Sequence, residues 1–74
     1  MGKEKYIYNR IKAVLAAKRM KNKELAEKLA VTEQTVSKWC TNYSQPSVPE
    51  LFAIAAILEV EIQELLEKKP VPVS

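Results

Sequence analysis

The stretch TEQTVSKW, residues 32–39, carries polar side chains at five of the six positions 33–38: Glu33, Gln34, Thr35, Ser37 and Lys38. A carboxylate, an amide, two hydroxyls and an ammonium supply hydrogen-bond donors and acceptors of both charges. On a helix they point outward near its N-terminus, while Val36 and Trp39 turn inward. Such a set recognises a polar partner by pairing with it. Nothing in the chain could run a reaction: there is no His, no Gly-rich phosphate loop and no nucleophile–base pair. A non-enzyme is expected. The single cysteine, Cys40, excludes an internal disulfide, and without His there is no Cys/His zinc site. Cys40 has no basic or catalytic partner in sequence and reads as a structural thiol. Glu59, Glu61, Glu64 and Glu67 read as a solvated acidic face, so no metal and no cofactor is expected.

The elements that must hold these residues follow from composition and spacing. With 74 residues and 47% apolar content, one small domain with a real core is expected. Ala, Leu, Glu and Lys dominate, and the Pro are confined to residues 46–72, which favours an all-helical domain. Apolar spacing at Ile7, Ile11, Val14 and Leu15 predicts a first helix from about Tyr6 to Arg19. Asn22 reads as the N-cap of a second, lined by Leu25, Ala26 and Leu29 and ending near Ala30. Thr32 caps a third, Glu33 to about Thr41, anchored by Val36, Trp39 and Cys40.

After the polar turn TNYSQPS, Ser47 and Glu50 have capping-box spacing and Pro49 sits in a first turn that tolerates it. A fourth helix then runs to about Leu58, and a fifth covers about 61–68 with Ile62, Leu65 and Leu66 inward. Residues 6–68 thus form the expected domain, with 1–5 and 69–74 as loose tails, since PVPVS cannot continue a helix. AVLAA (13–17) is too short for an export signal and LFAIAAIL (51–58) too short for a membrane span. With a lone thiol besides, a cytoplasmic protein without a membrane partner is expected. Charge divides along the chain: residues 1–45 hold ten Lys/Arg against four Glu, and residues 46–74 two Lys against five Glu. One face is suited to a polyanion and the other is not.

Counted from Asn22 as the first of twenty, Ala26 is fifth, and Leu25, Leu29, Val31, Val36 and Trp39 occupy the fourth, eighth, tenth, fifteenth and eighteenth places. This resembles the helix-turn-helix of the lambda-repressor and Cro-like (XRE-type) DNA-binding family. That pattern wants a small fifth residue, where the two helices touch, and apolar residues at the other five places. The flanking stretches IKAVLAAKRMKNKELAEKL and SQPSVPELFAIAAILEVEIQELL resemble the family's first two helices and its Pro-containing turn with closing helix pair. One place departs. The ninth is usually Gly because the backbone there takes a positive φ, and this chain has Ala30.

The resemblance implies a compact five-helix domain and a sequence-specific regulator of transcription, repressor-like, that binds double-stranded DNA. Its third helix would enter the major groove, about 12 Å wide. Gln34 suits adenine N6/N7, Lys38 guanine O6/N7 and Glu33 cytosine N4, while Thr35 and Ser37 suit bases or phosphates. Asn22, Lys23, Thr41, Asn42, Tyr43 and Ser44 are the expected phosphate contacts. Trp39 faces the body and reads as core, not as a base-stacking residue. A homodimer on a palindromic operator is expected, with Phe52, Ile57 and Val60 as candidates for its contact. The alternative is a protein-interaction module on the same fold, such as an antitoxin or accessory subunit.

Overall fold

The computed structural model describes residues 6–73, so the expected loose start at 1–5 and the final Ser74 lie outside the described residues. In chain order come strand β1 (Tyr6–Asn9), helices α1 (Ile11–Ala17), α2 (Asn22–Leu29), α3 (Glu33–Cys40) and α4 (Val48–Leu58), a 3₁₀ turn (Ile62–Leu65) and strand β2 (Leu66–Pro72). The expectation of five helices and an all-α chain is therefore corrected. Four helices and a 3₁₀ turn carry a two-stranded antiparallel ribbon made from the two ends.

The ribbon replaces the first turn of the expected first helix and the end of the expected fifth. Tyr6-Ile7-Tyr8 is an aromatic and β-branched run that fits a pleated strand better than a helix. Asn9 then stops the strand, since its side-chain Oδ1 accepts the Ile11 amide at 3.0 Å and starts the turn into α1. On the other strand Pro70 and Pro72 forbid a helix, but a ribbon edge accommodates residues that cannot donate. Tyr6 faces Pro72, Ile7 faces Val71, and Asn9 faces Leu66, so the register slips between Ile7 and Asn9. That slip leaves residues 67–70, with Pro70 among them, bulged out of the ladder opposite Tyr8.

The core lies where the four helices meet the 3₁₀ turn: Ile11, Leu15, Leu25, Ala26, Val36, Trp39, Ile54, Ala55, Leu58 and Leu65 are all buried. Each comes from a position whose helical spacing turns it inward. Two helices begin as expected. Thr32 Oγ1 accepts the Thr35 amide at 3.1 Å to cap α3. Ser47 and Glu50 close a reciprocal capping box on α4, at 3.2 Å and 2.7 Å. Asn22 does not cap α2. It is the first helical residue, Lys21 precedes it in extended conformation, and no side chain caps that end.

All four helices end in one way. Arg19, Ala30, Asn42 and Glu59 each take a left-handed conformation, with φ of 59–60°. The next residue donates its amide five residues back: Met20 to Leu15, Val31 to Ala26, Tyr43 to Lys38 and Val60 to Ala55, at 2.9–3.0 Å. This is the Schellman closure, and Met20, Val31 and Val60 add its usual apolar contact by packing on the core. None of the four left-handed residues is Gly.

Candidate nucleic-acid interface

Three residues separate α2 from α3. Ala30 turns the chain with φ 60° and ψ 40°, Val31 tucks against the core and Thr32 caps the next helix. Ala26 is buried and, having only a methyl group, lets α2 approach α3 closely. Val36 and Trp39 hold α3 down on its inner side.

The outer side of α3 presents Glu33, Gln34, Ser37 and Lys38, all exposed, with Thr41 one turn beyond Lys38. Gln34, Ser37, Lys38 and Thr41 follow the spacing of a single helix face. Thr35 is set apart from them. It is half-buried, and its hydroxyl lies 2.8 Å from that of Thr32, inside the cap. The Lys38 ammonium lies 5.7 Å from the centroid of the exposed Tyr43 ring, a cation–π arrangement that draws Lys38 toward the turn after α3. Within that turn the Thr41 hydroxyl donates to the Lys38 carbonyl at 3.2 Å, and the Tyr43 amide reaches the same oxygen at 2.9 Å. Ser44 is half-buried.

The beginning of α2 adjoins this surface. Asn22 Oδ1 accepts the Cys40 thiol at 3.6 Å, which ties the start of α2 to the end of α3. Lys21 and Lys23 flank it, both exposed. Burial raises the Cys40 thiol above its ordinary value, and the nearby Lys12 charge works against that rise. Burial thus disfavours the thiolate, the reactive form of the side chain. Lys12 and Lys21 belong to the same basic rim and were not singled out in the sequence. Lys12 falls on an exposed helical position, and Lys21 directly precedes a helix start without a side-chain cap.

Sequence reasoning also missed Asn9, the buried polar residue among the described residues. Its Nδ2 donates to the Trp39 carbonyl at 2.9 Å and to Gln45 Oε1 at 2.7 Å. Asn42 is half-buried, and its Oδ1 accepts the amides of Tyr8 and Asn9 at 2.8 Å and 3.0 Å. A signal for Asn9 was present, since Asn two residues ahead of an apolar helix start is a common turn former. Of the three residues expected at a dimer contact, Phe52 is exposed, whereas Ile57 and Val60 pack against the core. Among the described residues, no group of His, Cys, Asp and Glu could hold a metal ion.

Two helices clamped at a three-residue turn, the second presenting a polar outer face, define a helix-turn-helix protein. The family model for helix-turn-helix proteins matches residues 11–65, and the chain belongs to this XRE-type family. A solved structure of a candidate DNA-binding protein from Bacteroides fragilis is similar over 80% of this chain and 95% of that one, with 46% identity and a TM-score of 0.79. No curated protein gives a match.

Proposed function

We propose that the chain is a sequence-specific double-stranded DNA-binding regulator of transcription, repressor-like, whose α3 enters the major groove. The observation that carries this reading is the outer face of α3: Gln34, Ser37 and Lys38 stand exposed on a helix anchored from behind by Val36 and Trp39. Gln34 and Lys38 are the main base-reading residues, and Ser37 and Glu33 flank them. Thr35 serves α3 through its cap and contributes less to reading. The start of α2 receives a phosphate, because its first amides lack a side-chain cap and Lys21, Asn22 and Lys23 surround them. Thr41, Tyr43 and Ser44 hold the backbone on the far side of α3. Family membership and the similarity to the Bacteroides fragilis protein support the same reading.

Two copies bind a palindromic operator, and the contact between them uses the exposed apolar residues Val48 and Phe52 of α4. The same two residues favour the second reading, a module whose main partner is another protein. The cytoplasm is the compartment that suits both. Among the described residues, no helix is long and apolar enough to cross a membrane.

Titrating the protein onto random-sequence duplex DNA across a salt series tests this reading. Affinity is expected to fall steeply with salt, by a slope of about 0.9 in log K per phosphate neutralised. Lys23→Ala is expected to weaken all sequences alike and to flatten that slope by about one contact. Gln34→Ala and Lys38→Ala should relax base preference, at about 1–3 kcal/mol of discrimination each. Binding that is absent, or indifferent to salt, would leave the protein-partner module as the better reading.

A further inference from the structure

Asn9, Asn42 and Gln45 form a closed ring of amides at the junction of β1 with the turn after α3. Asn9 donates from Nδ2 to Gln45 Oε1 at 2.7 Å, and Gln45 donates from Nε2 to Asn42 Oδ1 at 3.1 Å. Asn42 completes the ring through the strand backbone: its Oδ1 accepts the Tyr8 and Asn9 amides, and its Nδ2 donates to the Asn9 carbonyl at 3.2 Å. The Asn42 side chain thus stands where a neighbouring strand's peptide group would stand, on a residue more than 30 positions along the chain. Its oxygen holds three donors, so it has little left to offer a phosphate. The second Asn9 hydrogen goes to the Trp39 carbonyl at 2.9 Å, within the last turn of α3.

We propose that Asn42 is a positioning residue, which locks the β1–β2 ribbon to the turn after α3 so that DNA reading depends on the ribbon. This rests on the DNA-binding reading above, and it moves Asn42 from the phosphate contacts to the group that aims them. Lys38, Tyr43 and Ser44 border Asn42 on the same turn, and the Lys38 carbonyl accepts the Tyr43 and Ser44 amides at 2.9 Å and 3.3 Å. The left-handed conformation at Asn42 is one that Asn tolerates better than most residues. Its side chain then fixes which way the turn faces. Strand β2 acts in this scheme through β1, whose register it sets.

A double-mutant cycle tests the proposal with two substitutions in the full chain. Asn42→Gly keeps the left-handed backbone available and removes the amide. Tyr8→Pro removes one of the two strand amides that Asn42 accepts and leaves the turn sequence untouched. Each is expected to weaken binding to random-sequence duplex DNA about tenfold, measured well below each variant's melting temperature. Since both break one lock, the double variant should bind no worse than the weaker single. In the free protein, Tyr8→Pro should also shift the NMR amide signals of residues 38–44.

Losses that multiply would mean that Asn42 touches DNA itself, and the proposal would be overturned. A lower melting temperature with unchanged affinity would overturn it too, leaving the ring a purely structural staple. If Asn42→Gly fails to fold, Tyr8→Pro alone decides through its affinity and its signals at 38–44. A wild-type chain that does not bind DNA would remove the DNA reading first, and this proposal with it, whatever the variants do.

Discussion

Ala30 takes a conformation that places its Cβ against the following carbonyl, at a cost of roughly 1–2 kcal/mol. Glycine would relieve that strain but would give the unfolded chain more freedom, which offsets about 0.4–1 kcal/mol. Strain wins narrowly. Ala30→Gly is therefore expected to stabilise the fold by about 0.5–1 kcal/mol and to raise the melting temperature by roughly 2–8 °C. Calorimetry checks it, and a fall in melting temperature would show that the turn is relaxed as it stands. Two residues fit a DNA-facing helix-turn-helix least readily: Ala30, which departs from the family pattern, and Glu33, a carboxylate beside the expected phosphates. The structure resolves the first, because the backbone keeps the left-handed turn and the alanine bears the strain. Glu33 stays an exposed first-turn residue whose charge suits the helix dipole.

Elements were legible in the sequence where local chemistry and apolar period agreed. Helices α3 and α4 satisfied both, since Thr32 and the pair Ser47 and Glu50 cap as their spacing predicts, whereas α2 followed its apolar period without the expected Asn22 cap. The ends of the chain were not legible, because Ile7, Ile11, Val14 and Leu15 have a helical period that hides a change of element at Asn9. Ile7 is half-buried as a strand residue, and Ile11 fully buried as a helix residue, so burial alone could not separate them. The same ambiguity affected Leu65 and Leu66, one in the 3₁₀ turn and the next in β2. Strand pairing between residues 57 to 66 positions apart leaves no periodic trace. In the candidate site, the polar outer face of α3 was readable from spacing, but the hydrogen bonds of Thr35 and Asn42 were not. At this scale the caps are testable. Thr32→Ala and Ser47→Ala should each cost about 1 kcal/mol by chemical denaturation, within a range of about 0.5–2 kcal/mol. Only Thr32→Ala, which loosens the start of α3, should also weaken DNA binding.

The molecule measures 36 × 23 × 22 Å, so its longest dimension equals about one turn of duplex DNA. On the proposed reading, two copies sit on half-sites about 34–36 Å apart. Val48 and Phe52 are 63% and 59% exposed on α4, and Phe52→Lys is expected to abolish paired occupancy of a two-half-site duplex while leaving single half-site binding intact. Sedimentation of the DNA complexes gives the stoichiometry, and a Phe52→Lys protein that still binds in pairs would remove α4 from the contact. Charge is divided on the same scale. The basic excess lies in residues 1–45, which include α2 and α3, and the acidic excess in 46–74, which include α4. The division orients the molecule toward a polyanion before any contact forms.

Because Tyr6 lies opposite Pro72, the two outer ends of the ribbon stand side by side. Any segment joined ahead of residue 6 and any joined after residue 72 share one anchoring point, beside the turn that Asn42 secures. A tethered module attached at either side would be confined near the surface proposed to read DNA, at the high local concentration a short leash imposes. Fusion order, upstream or downstream, then matters little to where the passenger is delivered.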